Sequence, residues 1–243
     1  MPTTPHPPPQ PSAADDVRRA LAAASDPADA VFLRRFFKTG PGEYGAGDEF
    51  IGVRVPATRA VVARFRDLPL DEIDRLLDDA VHEHRLAALL LLVHRYPREP
   101  DEVFARYLAA VRRGRVNNWD LVDSSADRIV GEHLVDRPRD LLRELAASPV
   151  LWERRVAVLA TFAFIKRGDA STTLELAAGL LDDPEPLMHK AVGWMLREVG
   201  KRVDRSLLLG FLDENAARMP RTALSYATEH LPPELRAAYR ARR

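Results

Sequence analysis

The chain has 243 residues, 46% of them hydrophobic, with 36 basic and 36 acidic side chains and no net charge, enough to bury one core or a continuous stacked one. It contains no cysteine, which excludes disulfides and Cys-ligated zinc and makes a reducing cytoplasm the natural setting. Its longest apolar run, LAALLLLV at 86–93, falls far short of the roughly 20 residues that span a bilayer, so no membrane partner is expected.

In chain order, the first stretch, MPTTPHPPPQPS, lacks a basic region followed by an apolar one and does not read as a signal peptide. Its proline density predicts a disordered or polyproline-like tail over 1–11, with a single domain over 12–243. Helices are expected over 12–24 and 27–38. The second of these, DPADAVFLRRFFK, has Asp26 as N-cap, Pro27 in the first turn, and Arg34, Arg35 and Lys38 available for phosphates. KTGPGEYGAGDEF, 38–50, holds four glycines but no Lys-Ser/Thr leading into a helix, so it is a weak phosphate loop and reads as a long connector. Beyond residue 55, helical spacing broken by short Pro, Asp or Gly turns predicts helices over 56–66, 70–80, 82–96, 99–113, 119–135, 138–147, 150–167, 171–182, 185–202, 204–214 and 220–231. No stretch alternates with period two, so the expected class is all-α.

The segments repeat. Aligning HEHRLAALLLLVHRY, NNWDLVDSSADRIVG, LWERRVAVLATFAFI and LMHKAVGWMLREVGK puts Arg85, Asp120, Arg155 and Lys190 in one column at steps of 35, with Arg221 of MPRTALSYATEHL 31 residues further on. A two-helix unit of this length is the signature of a HEAT-like α-solenoid, in which each unit buries its apolar face only against its neighbours. Helices preceding the aligned ones are acidic: LDEIDRLLDDA has one Arg against five acids. The aligned ones are basic: VLWERRVAVLATFAFIKRG, which includes Arg154 and Arg155, has four bases against one acid. If one helix of each pair lines the concave side, a neutral total conceals a basic groove suited to a polyanion, with the connector folded over one end. Charges that simply solvate the faces of a solenoid are the alternative.

In the basic column Asp120 breaks the rule. Trp119 and Asp123, four apart, share a helix face next to Arg155, and Lys190, Trp194 and Arg197 form one stripe at spacings of four and three. Tryptophan in a helical repeat is commonly core, and Asp120 suits a helix N-terminus. Asp123 lies inside an apolar pattern, where an unpaired carboxylate would cost several kcal/mol. A pair with Arg155 would be a structural solution and equally a functional one. HEH at 82–84 points to different helix faces and the seven histidines are scattered, so no metal site or cofactor is expected.

Together, RRFFKTGPGEYGAGDEFIGVRVP, NNWDLVD, LWERRVAVLATF, HKAVGWMLREVGK and MPRTALSYA resemble the DNA alkylation repair family of AlkD-like, HEAT-repeat DNA glycosylases, over about residues 12–231. The resemblance implies a C-shaped superhelix gripping double-stranded DNA by its backbone and excising cationic N3- or N7-alkylated purines without needing to flip the base. It implies Asp123, Trp119 and Arg155 as catalytic residues and Trp194 as a second tryptophan facing DNA, with Phe36 standing where the prototype has tyrosine. The wider DNA-contacting set is Lys190, Arg154, Arg197, Arg35, Lys38, Arg85 and Arg221. A monofunctional hydrolase acting as a monomer in the cytoplasm, associated with the nucleoid when bound to DNA, is the expected protein. The competing readings are a non-catalytic binder of damaged or branched DNA on the same scaffold and a protein-binding solenoid.

Overall fold

The computed structural model describes residues 13–242; the proline-rich tail expected over 1–11 lies outside them. The described residues are helical, with one isolated parallel bridge between Glu49 and Val81. The described residues form two compact units, which meet in sequence between residues 95 and 96.

The first unit comprises α1 (Ala13–Ala22), α2 (Pro27–Phe36), α3 (Val55–Arg64), α4 (Leu70–Leu77) and α5 (His82–Arg95). Helix α4 buries Leu70, Ile73, Leu76 and Leu77, one stripe at helical spacing, against α5. Asp26 caps α2 as the sequence predicts, its carboxylate accepting from the backbone N–H of Ala28 (2.7 Å) and Asp29 (3.0 Å).

The glycine-rich connector is anchored to the start of α5. Glu83 is buried there, and its carboxylate accepts from the backbone N–H of Ile51 (3.1 Å), Gly52 (2.8 Å) and Val53 (3.2 Å). Each side supplies what the other lacks: a buried carboxylate needs donors, and non-helical backbone held against a core needs acceptors. Gly52 sits at φ +86°, and a Cβ there would stand 2.0 Å from the carbonyl oxygen of Asp26. The residue is therefore glycine for two reasons, conformation and the close approach of the α2 cap.

The second unit comprises α6 (Pro100–Arg112), α7 (Trp119–Asp123), a π-helical turn (Asp127–Gly131), α8 (Asp140–Ala146), α9 (Leu151–Ala160), α10 (Phe162–Ile165), α11 (Ser171–Gly179), α12 (Pro186–Arg202), α13 (Arg205–Asn215), α14 (Arg221–Ala227) and α15 (Pro233–Ala241). Helices α7, α9, α12 and α14, the ones aligned in sequence, pack each on the next, while α8 backs α9, and α11 and α13 back α12. This is the helical-repeat arrangement of an α-solenoid, in which each unit is covered by its neighbours.

Two expected helices are interrupted. The one predicted over 119–135 stops after Asp123: the Ser125 hydroxyl donates to the Leu121 carbonyl (2.6 Å) and the backbone then widens into the π turn. The one predicted over 150–167 breaks at buried Thr161, whose hydroxyl donates to the Val158 carbonyl (2.7 Å). Helix α15 was not anticipated. It follows the last predicted helix, which ends at 231: Pro233 occupies the first turn, where proline's missing N–H costs nothing, and Tyr239 is buried with its hydroxyl donating to Asp213 (2.9 Å).

The charges also differ from the simple division into basic and acidic layers. In the second unit many of the cations pair with an acid about one repeat away: Arg112 with Glu153 (2.7 Å), Arg143 with Glu175 (2.6 Å), Arg167 with Glu132 (2.5 Å) and Arg154 with Asp183 (2.6 Å). Repeats that touch only their neighbours place opposite charges within reach at that interval.

Candidate functional site

Helix α7 is one and a half turns long and begins where the Asn118 side chain accepts from the Trp119 N–H (2.9 Å). Leu121 and Val122 turn into the core, which leaves Trp119, Asp120 and Asp123 half-buried on the other side. The neighbouring α9 supplies Arg155, whose side chain is 5% exposed. Its Nε donates to Asp123 Oδ1 (2.9 Å), one Nη to Asp123 Oδ2 (2.8 Å) and the other Nη to the Leu187 carbonyl at the start of α12 (2.6 Å). One guanidinium thus ties three successive helices and holds the carboxylate in a fixed plane.

Asp123 is not sealed off. Its side chain is 18% exposed, and an ionised carboxylate has about four acceptor positions, of which Arg155 occupies two. Burial pushes its carboxyl above the usual aspartate value, and the nearby Arg155 charge opposes that shift. Behind it, fully buried Tyr107 meets the Ser125 hydroxyl (3.0 Å), and burial raises the phenol's pKa.

On α12 the predicted stripe is present. Lys190 is exposed, Trp194 half-buried against Phe162 (ring centroids 6.4 Å apart), and Arg197 bonded to Glu198 (3.3 Å) and to Glu229. Phe162 was not singled out in the sequence, yet it underlies Trp194 and carries Arg202 and Lys166, each 5.2 Å from its ring centre. Gly193, one residue before Trp194, lets α14 close on α12: a Cβ there would lie 2.4 Å from the Ala223 carbonyl oxygen. Arg221 is exposed at the start of α14 and donates to the Arg240 carbonyl (2.7 Å).

Two residues expected to contact DNA are placed otherwise. Arg154 is held by both Asp183 oxygens and the Ser148 carbonyl (3.0 Å). Arg85, in the first unit, is 2% exposed and bonded to Asp48 (2.7 Å) and to the carbonyls of Asp79 and Ala80 (2.9 Å each). Arg85 is buried beyond the reach of a phosphate, and the guanidinium of Arg154 is turned to Asp183 and Ser148, so both serve the fold first.

Also in the first unit, α2 presents Phe32 and Phe36, about half exposed and stacked 5.8 Å apart, with the Arg54 guanidinium 4.7 Å from the Phe32 ring. Arg35 is exposed, and Lys38, at φ 56°, ends the helix in the left-handed region 4.0 Å from Glu43. Among the described residues no group of three or more His, Asp or Glu side chains could hold a metal ion, and no helix is long and apolar enough to cross a membrane.

The family model for the DNA alkylation repair enzyme matches residues 17–231. The chain belongs to the DNA alkylation repair family. A role in repair of alkylated DNA, with DNA as partner, follows from that membership. Among solved structures it is similar to one described as a "Predicted DNA alkylation repair enzyme from Enterococcus faecalis", at 17% identity and a TM-score of 0.68, over 86% of this chain and 97% of that one. At that identity the likeness shows the shared fold of the DNA alkylation repair family. No curated protein matches the sequence.

Proposed function

We propose that the protein is a monofunctional DNA glycosylase that hydrolyses the N-glycosidic bond of cationic N3- or N7-alkylated purines in double-stranded DNA, acting as a monomer in the cytoplasm. An alkylated purine already carries positive charge and leaves as a neutral base, so no general acid is required. The charge that develops lies on the deoxyribose. Asp123 stabilises this oxocarbenium-like state and orients the attacking water through the acceptor positions that Arg155 leaves open. The faces of Trp119 and Trp194 add the attraction of an indole quadrupole for a cation. Lys190, Arg197 and Arg221 in the second unit bind phosphates, as do Arg35 and Lys38 on α2 in the first, where the exposed ring of Phe36 also contacts the DNA. Arg85 and Arg154 hold the fold.

The observation that carries this reading is the bidentate Arg155–Asp123 pair, which immobilises a carboxylate and leaves part of it open to solvent. The same pair favours a second reading, since an aspartate neutralised by arginine also suits a non-catalytic binder of damaged or branched DNA. Release of free methylated purine from methylated duplex separates the two. The glycosylase predicts release by the wild type and a large loss of it in Asp123→Asn, with duplex binding retained. A wild type that binds DNA and releases nothing is the binder.

A further inference from the structure

A cavity of about 360 Å³ opens among α12, α13 and α14, with Arg197 on its edge. Its rim carries Arg197, Lys201, Arg205 and His230, and its floor includes buried Leu208 and Leu231. Lys201, Arg205 and His230 are exposed, and none has a side-chain hydrogen bond or ion pair among the described residues. They contrast with Arg143, Arg154 and Arg167 of the same unit, each joined to an acid of a neighbouring repeat. Arg197, the paired member of the rim, still has a buried Nε without a partner.

Lys201 and Arg205 line the cavity with no ion pair of their own among the described residues, so both attract an anion that enters it. The volume lies within the range of about 300–1,000 Å³ typical of small-molecule sites, larger than a bare ion requires. Gly200 helps to shape the space: a Cβ there would stand 2.5 Å from the Leu208 side chain, so α12 and α13 meet closely and Leu208 forms a flat apolar base. A cationic rim over an apolar floor suits a phosphate attached to a planar or aliphatic group.

We propose that this cavity is a nucleotide-phosphate site, in which Lys201, Arg205 and Arg197 hold the phosphate, His230 lies against the sugar or base, and Leu208 and Leu231 receive the apolar part. The phosphate competes with Glu229 for Arg197. Its source is either a free mononucleotide or a nucleotide of the DNA strand bound along α12.

Calorimetric titration of the full chain with dAMP, with inorganic phosphate alongside, tests the site. The expected result is saturable dAMP binding, weaker binding of bare phosphate because it leaves the floor empty, and a loss of at least about tenfold in the Lys201→Ala/Arg205→Ala double variant. Both substitutions are at exposed positions, and an unchanged thermal melt verifies the fold. Duplex affinity measured on the same variant names the source: retained affinity means a free nucleotide, and a parallel loss means a strand nucleotide. No heat and no shift in melting with millimolar dAMP, or dAMP binding that ignores the double substitution, overturns the proposal. Purine release is a separate readout, so failure here leaves the glycosylase reading standing.

Discussion

Arg85 and Arg155 occupy the same column of the repeat, two 35-residue steps apart, and both are buried against an aspartate. Their surroundings assign them different work. Arg85 fastens the connector: Asp48 comes from the connector itself, is only 4% exposed, and also meets His82 (3.2 Å). Arg155 fastens α7: Asp123 comes from the preceding repeat and keeps an exposed edge. A recurring arginine marks where a repeat needs a tie, and the exposure of its partner decides whether the tie can also act on a substrate.

The largest effect should come from breaking the deeper pair. Arg85→Ala removes the guanidinium paired with buried Asp48 and should cost about 3–5 kcal/mol in urea unfolding, with Arg155→Ala costing less because solvent reaches Asp123. Equal costs would erase the distinction. Asp123→Asn should reduce single-turnover purine release by about 100- to 1,000-fold. Asp48→Asn should leave release per folded molecule unchanged, and a comparable loss from it would show that the two pairs are not functionally different. Glu83→Gln removes the charge that receives three connector N–H groups and should destabilise by about 1–3 kcal/mol; an unaltered urea midpoint would mean the connector does not depend on it.

A fourth test uses pH. Burial raises the Asp123 pKa in the folded protein, so protonation favours the fold: this contribution is complete below the unfolded value and is lost as pH climbs through the folded one. Catalysis runs the other way, because it needs the carboxylate. Release should therefore fall on acidification with a midpoint above the ordinary aspartate value of about 3.9. A rate that stays flat down to that value contradicts the assignment. The smallest effect is expected at exposed Lys190, where Lys190→Ala should lower the salt slope of duplex binding by about one unit. An identical slope removes Lys190 from the interface.

Much of this arrangement was legible in the sequence. The 35-residue interval gave the stacked helices, and Asp123 inside an apolar pattern pointed to its own partner. What escaped was set by contacts that leave no local trace. Arg85 and Arg155 look alike in the repeat, and only the folded connector shows that Asp48 claims one of them. The breaks at Ser125 and Thr161 depend on hydroxyls turning back to carbonyls, an option that serine and threonine in a helix do not always take. Phe162 lies among other apolar residues of its helix, and nothing in their order marks the one that supports Trp194.

The ion pairs that join one repeat to the next also set how local motion spreads. In a linear array, stability divides into a share belonging to each unit and a share belonging to each junction, and the junction share determines how many units open together. Here part of every junction from Arg112 to Arg167 is electrostatic. Raising ionic strength therefore shortens the cooperative block, so that amide exchange in the second unit breaks from one concerted opening into separate openings of single helix pairs. A polyelectrolyte approaching the same arginines would act as concentrated salt at those junctions, loosening the array where it binds.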